Sequence, residues 1–295
     1  APVVLWMDPG GYDAYRVERR FAPIESSSWE ATKNEKPEFD SPNRYGLRAE
    51  GLTREQIEAC RGGGWDPPAL QEVVDQFVMH YDVCGTSDVC FKVLHDMRCL
   101  SVHFMLDVDG TIYQTLDLKE RAWHATISNP RSIGVEIAGI GAYPQPDHEV
   151  LQKWYMVDEG GDLMIRPQRT VGHLKLRNKP FYGRPDRPEI VEGTIQGTKL
   201  YQYDYTPEQY DSLIKLTATL CRIFPKLRCD YPKDGNGELI PHMLDKPEWE
   251  QFTGVLGHYH VQKNKIDPGP AFNWEKVIGG ARELIDVAEQ EVKAE

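Results

Sequence analysis

Hydrophobic and polar positions change rhythm several times along the chain, and each change marks a predicted element. Val73 to Tyr81 alternates loosely and is β-branched, which predicts a strand whose last residues include Phe77-Val78-Met79-His80. Val89–Met97 has helical spacing. Ser101–Leu106 and Thr111–Leu116 flank Asp109-Gly110, a strand-turn-strand signal of the hairpin type. Ile133–Ile140 is an apolar run broken by a single acid, Glu136, and reads as a buried strand. Thr206-Pro207-Glu208-Gln209 opens a helix with a capping box and proline in its first turn. Its apolar stripe runs through Tyr210, Leu213, Leu216, Thr217 and Leu220. Val255–Leu256 leads into a histidine-containing segment, and Trp274–Val292 is a closing amphipathic helix. Strands and helices alternate, so the expected class is α/β, with a mixed sheet.

Two stretches break this pattern. Residues 1–65 are rich in Pro, Gly, Ser and charge and read as an N-terminal extension around a body spanning 66–295, with one helix near Thr53–Cys60 capped by Thr53 and Gln56. Residues from about 142 to 204 carry many prolines, glycines, tyrosines and charges. A stretch of that length and irregularity is expected to be a functional insertion or a partly ordered loop.

Composition narrows the function classes. A chain of 295 residues has ample core for one large domain or two small ones. The net charge of -12 argues against nucleic acid as partner. No apolar stretch approaches membrane-spanning length, and nothing at Ala1 resembles a signal segment, so a targeting segment is either already removed or was never there. Six cysteines permit three bridges, Cys84 with Cys90, Cys221 with Cys229, and Cys60 with Cys99. An even count with two short loops favours an oxidising compartment, secreted or periplasmic, over zinc-thiolate ligation, for which no Cys-x-x-Cys occurs.

The candidate chemistry lies far apart in sequence. His80 closes one apolar strand, His258 follows another, and Asp267 sits nine positions later before a Pro-Gly-Pro turn. Two imidazoles and a carboxylate suit a catalytic zinc with one open position. His258 and His260, two apart, form a competing pair if that segment is a strand. Glu136, amid apolar β-formers, needs a partner or a raised pKa, which suits a general base, unless its strand is an exposed edge. Lys265 could stabilise an oxyanion. His124 could donate to a substrate carbonyl, Trp123 could stack on a sugar, and His103 reads as a core histidine.

Five phrases in this order, Phe77–His80, Ser101–Leu106 with Asp109–Tyr113, Arg121-Ala122-Trp123-His124-Ala125, Ser132–Gly139 and Gly257–Ala271, resemble the zinc-dependent N-acetylmuramoyl-L-alanine amidases of the type-2 amidase family, related to peptidoglycan recognition proteins. The resemblance covers roughly 73–141 and 205–280. It implies a mixed sheet flanked by helices with Zn2+ at the floor of a groove, 66–295 being the amidase domain, and a peptidoglycan or muropeptide substrate cleaved between N-acetylmuramic acid and L-alanine. By position it makes His80, His258 and Asp267 the metal ligands, Glu136 the general base, Lys265 the oxyanion group, and His124 the histidine of the family's Trp-His-Ala phrase; His124 and Trp123 are the expected substrate-binding residues. The Cys84–Cys90 gap is similar to a disulfide of the recognition-protein branch, and His260 stands where the family often has aspartate. The alternatives are a non-catalytic peptidoglycan receptor on the same fold, a zinc peptidase acting on the stem, and a closed structural zinc with His260 as fourth ligand.

Overall fold

Strand alternation decides which side chains reach the site, because successive residues of a strand point to opposite faces of its sheet. The computed structural model describes residues 1–15, 45–48, 53, 55, 67–166, 169, 176–177 and 180–294. The predicted helix near Thr53–Cys60, and the Cys60–Cys99 pairing with it, fall outside the described residues.

The chain runs through β1 (Val3–Leu5), β2 (Tyr45–Leu47), α1 (Pro67–Gln71), β3 (Gln76–Tyr81) and α2 (Ser87–Phe91), which continues as a π-helical turn over Lys92–Met97. Next come β4 (Phe104–Leu106), β5 (Ile112–Gln114), β6 (Glu120–Ala122) and β7 (Ser132–Ile137). The segment after residue 142 contributes α3 (Glu149–Trp154) and two antiparallel hairpins, β8 (Tyr155–Val157) with β9 (Leu163–Ile165) and β10 (Val191–Ile195) with β11 (Thr198–Gln202). Composition alone had made this stretch irregular. Its short alternating pieces pair locally, and Leu151, Tyr155, Ile165 and Phe181 bury a small cluster against Val108, Ala138 and Ile140. The chain ends with α4 (Pro207–Ile223), α5 (Lys246–Gln251), β12 (Gly254–Gly257), α6 (His258–Val261) and α7 (Trp274–Ala294).

Among the described residues, six strands form one mixed sheet in the order β1-β5-β4-β7-β3-β12. Only the β4–β5 hairpin pairs antiparallel; β1–β5, β4–β7, β7–β3 and β3–β12 are parallel. Gly110 takes φ +80° in the hairpin turn, a conformation that favours glycine. All six residues of β3 are buried, as expected for a central strand covered on both faces. On one face Phe77, Met79, Ile133, Val135, Ile137 and Val255 pack under α4 and α7, with Leu213, Leu216, Leu220, Val277 and Ile278. The α4 capping box forms as predicted, Thr206 Oγ1 accepting from Gln209 N at 3.1 Å. The opposite face carries Val78 and Leu256 near the start, then His80 and Glu136 towards the C-terminal end.

Candidate metal centre and cleft

Because β7, β3 and β12 run parallel, their C-terminal ends meet at one edge of the sheet. His80 on β3 pairs in register with Glu136 on β7, so both side chains project from the same face. On the other side β12 delivers Gly257 beside Met79, and His258 opens α6 immediately after it. The chain then folds back: Lys265 N donates to Gln262 O, Gly269 N to Ile266 O, and Tyr259 N to Asp267 O. Gly269 has φ +86°, and a Cβ there would lie 2.1 Å from Gln202 Oε1. This return places Asp267 against His258.

The hairpin β10–β11, with Tyr205 just after it, holds that turn from outside. Tyr205 Oη donates to Pro268 O at 2.8 Å, and Gln202 Oε1 accepts from Ala271 N at 3.0 Å. Gln196 Nε2 donates to Tyr259 O at 2.9 Å. Residues of the 142–204 segment therefore brace the loop that carries His258 and Asp267, a role no local pattern signalled.

The three candidate donors converge. His80 Nδ1, His258 Nδ1 and Asp267 Oδ2 form a triangle with all three separations 3.0 Å. All three residues are buried, and they are the group among the described residues able to hold a metal ion. Donors about 2.0–2.1 Å from a tetrahedral zinc are about 3.3 Å apart, so the triangle is close to the spacing such an ion requires. Burial raises the Asp267 carboxyl, but the His258 and His80 imidazoles more than offset this and hold it well below the usual carboxylate range. Burial and the neighbouring His258 push His80 down to about 4, so its imidazole is neutral, the form that binds metals.

His260 is not part of the cluster. The segment is a helical turn and not a strand, so residues two apart diverge; the His260 ring accepts from Gly257 N at 2.9 Å and meets Ile240 O at 2.7 Å. This removes both the His258–His260 ligand pair and the fourth-ligand reading of a closed site.

Beside the triangle lies a cleft of about 210 Å³ whose walls include Glu136, Lys265, Trp123, His124, Asp82 and Arg98. Burial raises the Glu136 carboxyl well above its ordinary value, and the Asp267 and Asp82 charges add to this, opposed by Lys265. Lys265 is half-buried at the cleft, and Trp123 is half-buried with the Arg121 guanidinium 4.4 Å from its ring centroid. His124 Nδ1 lies 2.9 Å from His80 Nε2, and its Nε2 lies 3.2 Å from Ser132 Oγ. His103 is buried, bonded to Glu120 O at 3.0 Å, as expected of a core histidine. Asp82, Ser132 and Gln262 escaped sequence reasoning. Asp82 Oδ1 accepts from Cys84 N, Gly85 N and Gly139 N at 2.9–3.1 Å, tying the loops after β3 and β7 together. Its place two residues past His80 was the only available signal. A larger cavity of about 540 Å³ lies away from the cluster, around Tyr12, Phe91 and Tyr113.

The Cys84 and Cys90 side chains meet at the cleft, and Cys221, in the last turn of α4, meets Cys229; both pairs are thiols in the structure. No helix among the described residues is long and apolar enough to cross a membrane.

Fold and site together define a mixed-sheet α/β protein whose parallel strand ends carry a buried two-histidine, one-carboxylate centre opening on a cleft. A family model described as N-acetylmuramoyl-L-alanine amidase matches residues 70–270, and the chain belongs to that family, with amidase activity on peptidoglycan. It is 21% identical over 223 residues to the 1,6-anhydro-N-acetylmuramyl-L-alanine amidase AmpD of Haemophilus influenzae, spanning 75% of this chain and 74% of that one. Among solved structures it is similar to the E. coli amidase AmiD in complex with anhydro-N-acetylmuramic acid-L-Ala-D-gamma-Glu-L-Lys, at 18% identity, TM-score 0.39, and 70% and 57% of the two chains. It is also similar to the endolysin amidase LysCS of Clostridium intestinale, at 16% identity, TM-score 0.38, and 72% and 86% coverage.

Proposed function

We propose that this amidase is zinc-dependent and hydrolyses the amide between N-acetylmuramic acid and the L-alanine of the stem peptide. The single observation that carries this is the buried 3.0 Å donor triangle beside Glu136. His80, His258 and Asp267 would hold the ion, which would supply Lewis-acid chemistry toward the scissile carbonyl and the attacking water. Glu136 takes the proton from the attacking water and returns it to the departing alanine amine. A carboxyl raised by burial is matched to both halves of that transfer. Lys265, from the cleft wall, stabilises the negative charge that develops on the carbonyl oxygen. Trp123 offers an aromatic surface to the glycan or the stem.

The family match beginning at residue 70 supports 66–295 as the amidase domain, with 142–204 as an insertion and 1–65 as an extension whose Val3–Leu5 adds an edge strand. We further propose that Cys84–Cys90 and Cys221–Cys229 close as disulfides in a secreted or periplasmic setting; mass measured after alkylation with and without reductant tests this. The function itself is tested by digesting purified murein and identifying fragments by mass spectrometry, with chelator and after zinc is restored. Zinc-dependent release of stems with a free L-alanine amino terminus is expected. Binding without release would establish a receptor instead, and cuts within the stem a peptidase.

A further inference from the structure

The His124 ring sits behind His80, with each of its nitrogens engaged, and this arrangement dictates proton positions. If His80 Nδ1 faces the ion, its proton is on Nε2, which then donates to His124 Nδ1 at 2.9 Å. His124 Nδ1 being an acceptor, its own proton is on Nε2 and donates to Ser132 Oγ at 3.2 Å. Ser132 begins β7, so the relay is anchored on a central strand. His258 has its own acceptor, Gln262 Oε1, 3.2 Å from its Nε2. A second, independent feature makes room for the relay: a Cβ on Gly134 would lie 2.5 Å from both His124 Nδ1 and Cε1, so the ring occupies space that only a glycine leaves open.

We infer that His124, with Ser132 behind it, is a positioning residue that fixes the tautomer and orientation of His80; its ring lines the cleft, but both of its nitrogens are engaged, so it offers the substrate no hydrogen bond. This rests on the metal reading of the His80–His258–Asp267 triangle. Acceptors on the far nitrogen of a ligating histidine commonly change metal affinity by 10–100-fold when removed.

The test uses the full chain and zinc itself. Zinc affinity is measured by competition with a chromophoric chelator for wild type, His124→Phe, His124→Asn and Ser132→Ala. Michaelis constants are measured at saturating zinc, and thermal midpoints on zinc-free protein. His124→Phe keeps a ring but removes the acceptor, and is expected to weaken zinc binding by about 10–100-fold. His124→Asn places an oxygen near Nδ1 and should recover most of that loss. Ser132→Ala should weaken binding in the same direction but less, and it carries the test should the ring replacement disturb folding. KM at saturating zinc should stay within about twofold throughout. Wild-type zinc affinity with a raised KM in His124→Phe would make His124 a substrate group and overturn the inference, as would equal losses in Phe and Asn. Wild-type protein that binds no zinc would overturn the metal reading, and this inference with it.

Discussion

Gly134→Ala sets two physical effects against each other with opposite signs. In an ordinary strand, replacing glycine by alanine stabilises by roughly 0.5–1 kcal/mol, because glycine loses more backbone freedom on folding. Here the new Cβ would meet the His124 ring at 2.5 Å, where ordinary contact begins near 3.4 Å. The ring must retreat by about 0.9 Å, yet it is held between His80 at 2.9 Å and Ser132 at 3.2 Å, so at least one of these bonds is lost. Overpacking of this kind costs about 1–3 kcal/mol, which exceeds the backbone gain. The zinc-free variant should therefore be less stable than wild type, by about 2–4 °C in midpoint for each net kcal/mol. The control is a double-mutant cycle. His124→Ala removes the ring, so Gly134→Ala in that background should lose its penalty or become stabilising, a coupling of at least about 1 kcal/mol. Chemical or thermal denaturation of the four proteins measures it. Additive effects, or a stabilised single variant, would refute the steric account.

Zinc at a thousandfold excess over its dissociation constant should raise wild-type stability by about 4 kcal/mol, and Asp267→Ala should abolish the zinc-dependent part of the midpoint shift in scanning calorimetry. Glu136→Gln should reduce turnover by about 10²–10⁴-fold while zinc affinity stays near wild type; loss of metal together with activity would contradict the proposed role as base. Burial raises the Asp107 carboxyl to about 8 despite amide bonds from Val108 N and Ser87 N, with Asp109 and Asp82 adding to the rise. The folded state therefore binds the extra proton across the window from about 4 to 8, and this contribution to stability is lost as pH rises through it. Asp107→Asn should flatten that decline, as read from urea midpoints at pH 5 and pH 8. Thr206→Ala should cost about 0.5–2 kcal/mol, since Oγ1 both caps α4 and donates to Val108 O at 2.7 Å, and should leave zinc affinity unchanged.

Much of this was legible locally. The capping box at Thr206, the Asp109-Gly110 turn and the alternation through β3 each depend on a few neighbouring residues, and they appear with ends shifted by a few positions. Val73 to Tyr81 was read as strand, yet β3 starts at Gln76, because Leu70 O accepts from Val73 N and Val74 N and prolongs the turn of α1. The competing His258–His260 pair, which required a strand there, fails for a related reason: four residues after a strand end carry too little pattern to distinguish extension from a helical turn.

Residue type and strand periodicity are local properties, so the candidate side chains, and the place of His80 and His258 at the ends of apolar runs, were readable along the chain. Whether those runs lie parallel and adjacent, so that His80, His258 and Asp267 close to 3.0 Å, was decided only by the tertiary structure. So was the backing of His80 by His124 and Ser132, and the bracing of the Pro-Gly-Pro turn by Gln202 and Tyr205. The physical reason is that hydrogen bonds between residues tens to hundreds of positions apart are fixed by strand order and register, which the whole buried core selects and no short segment encodes.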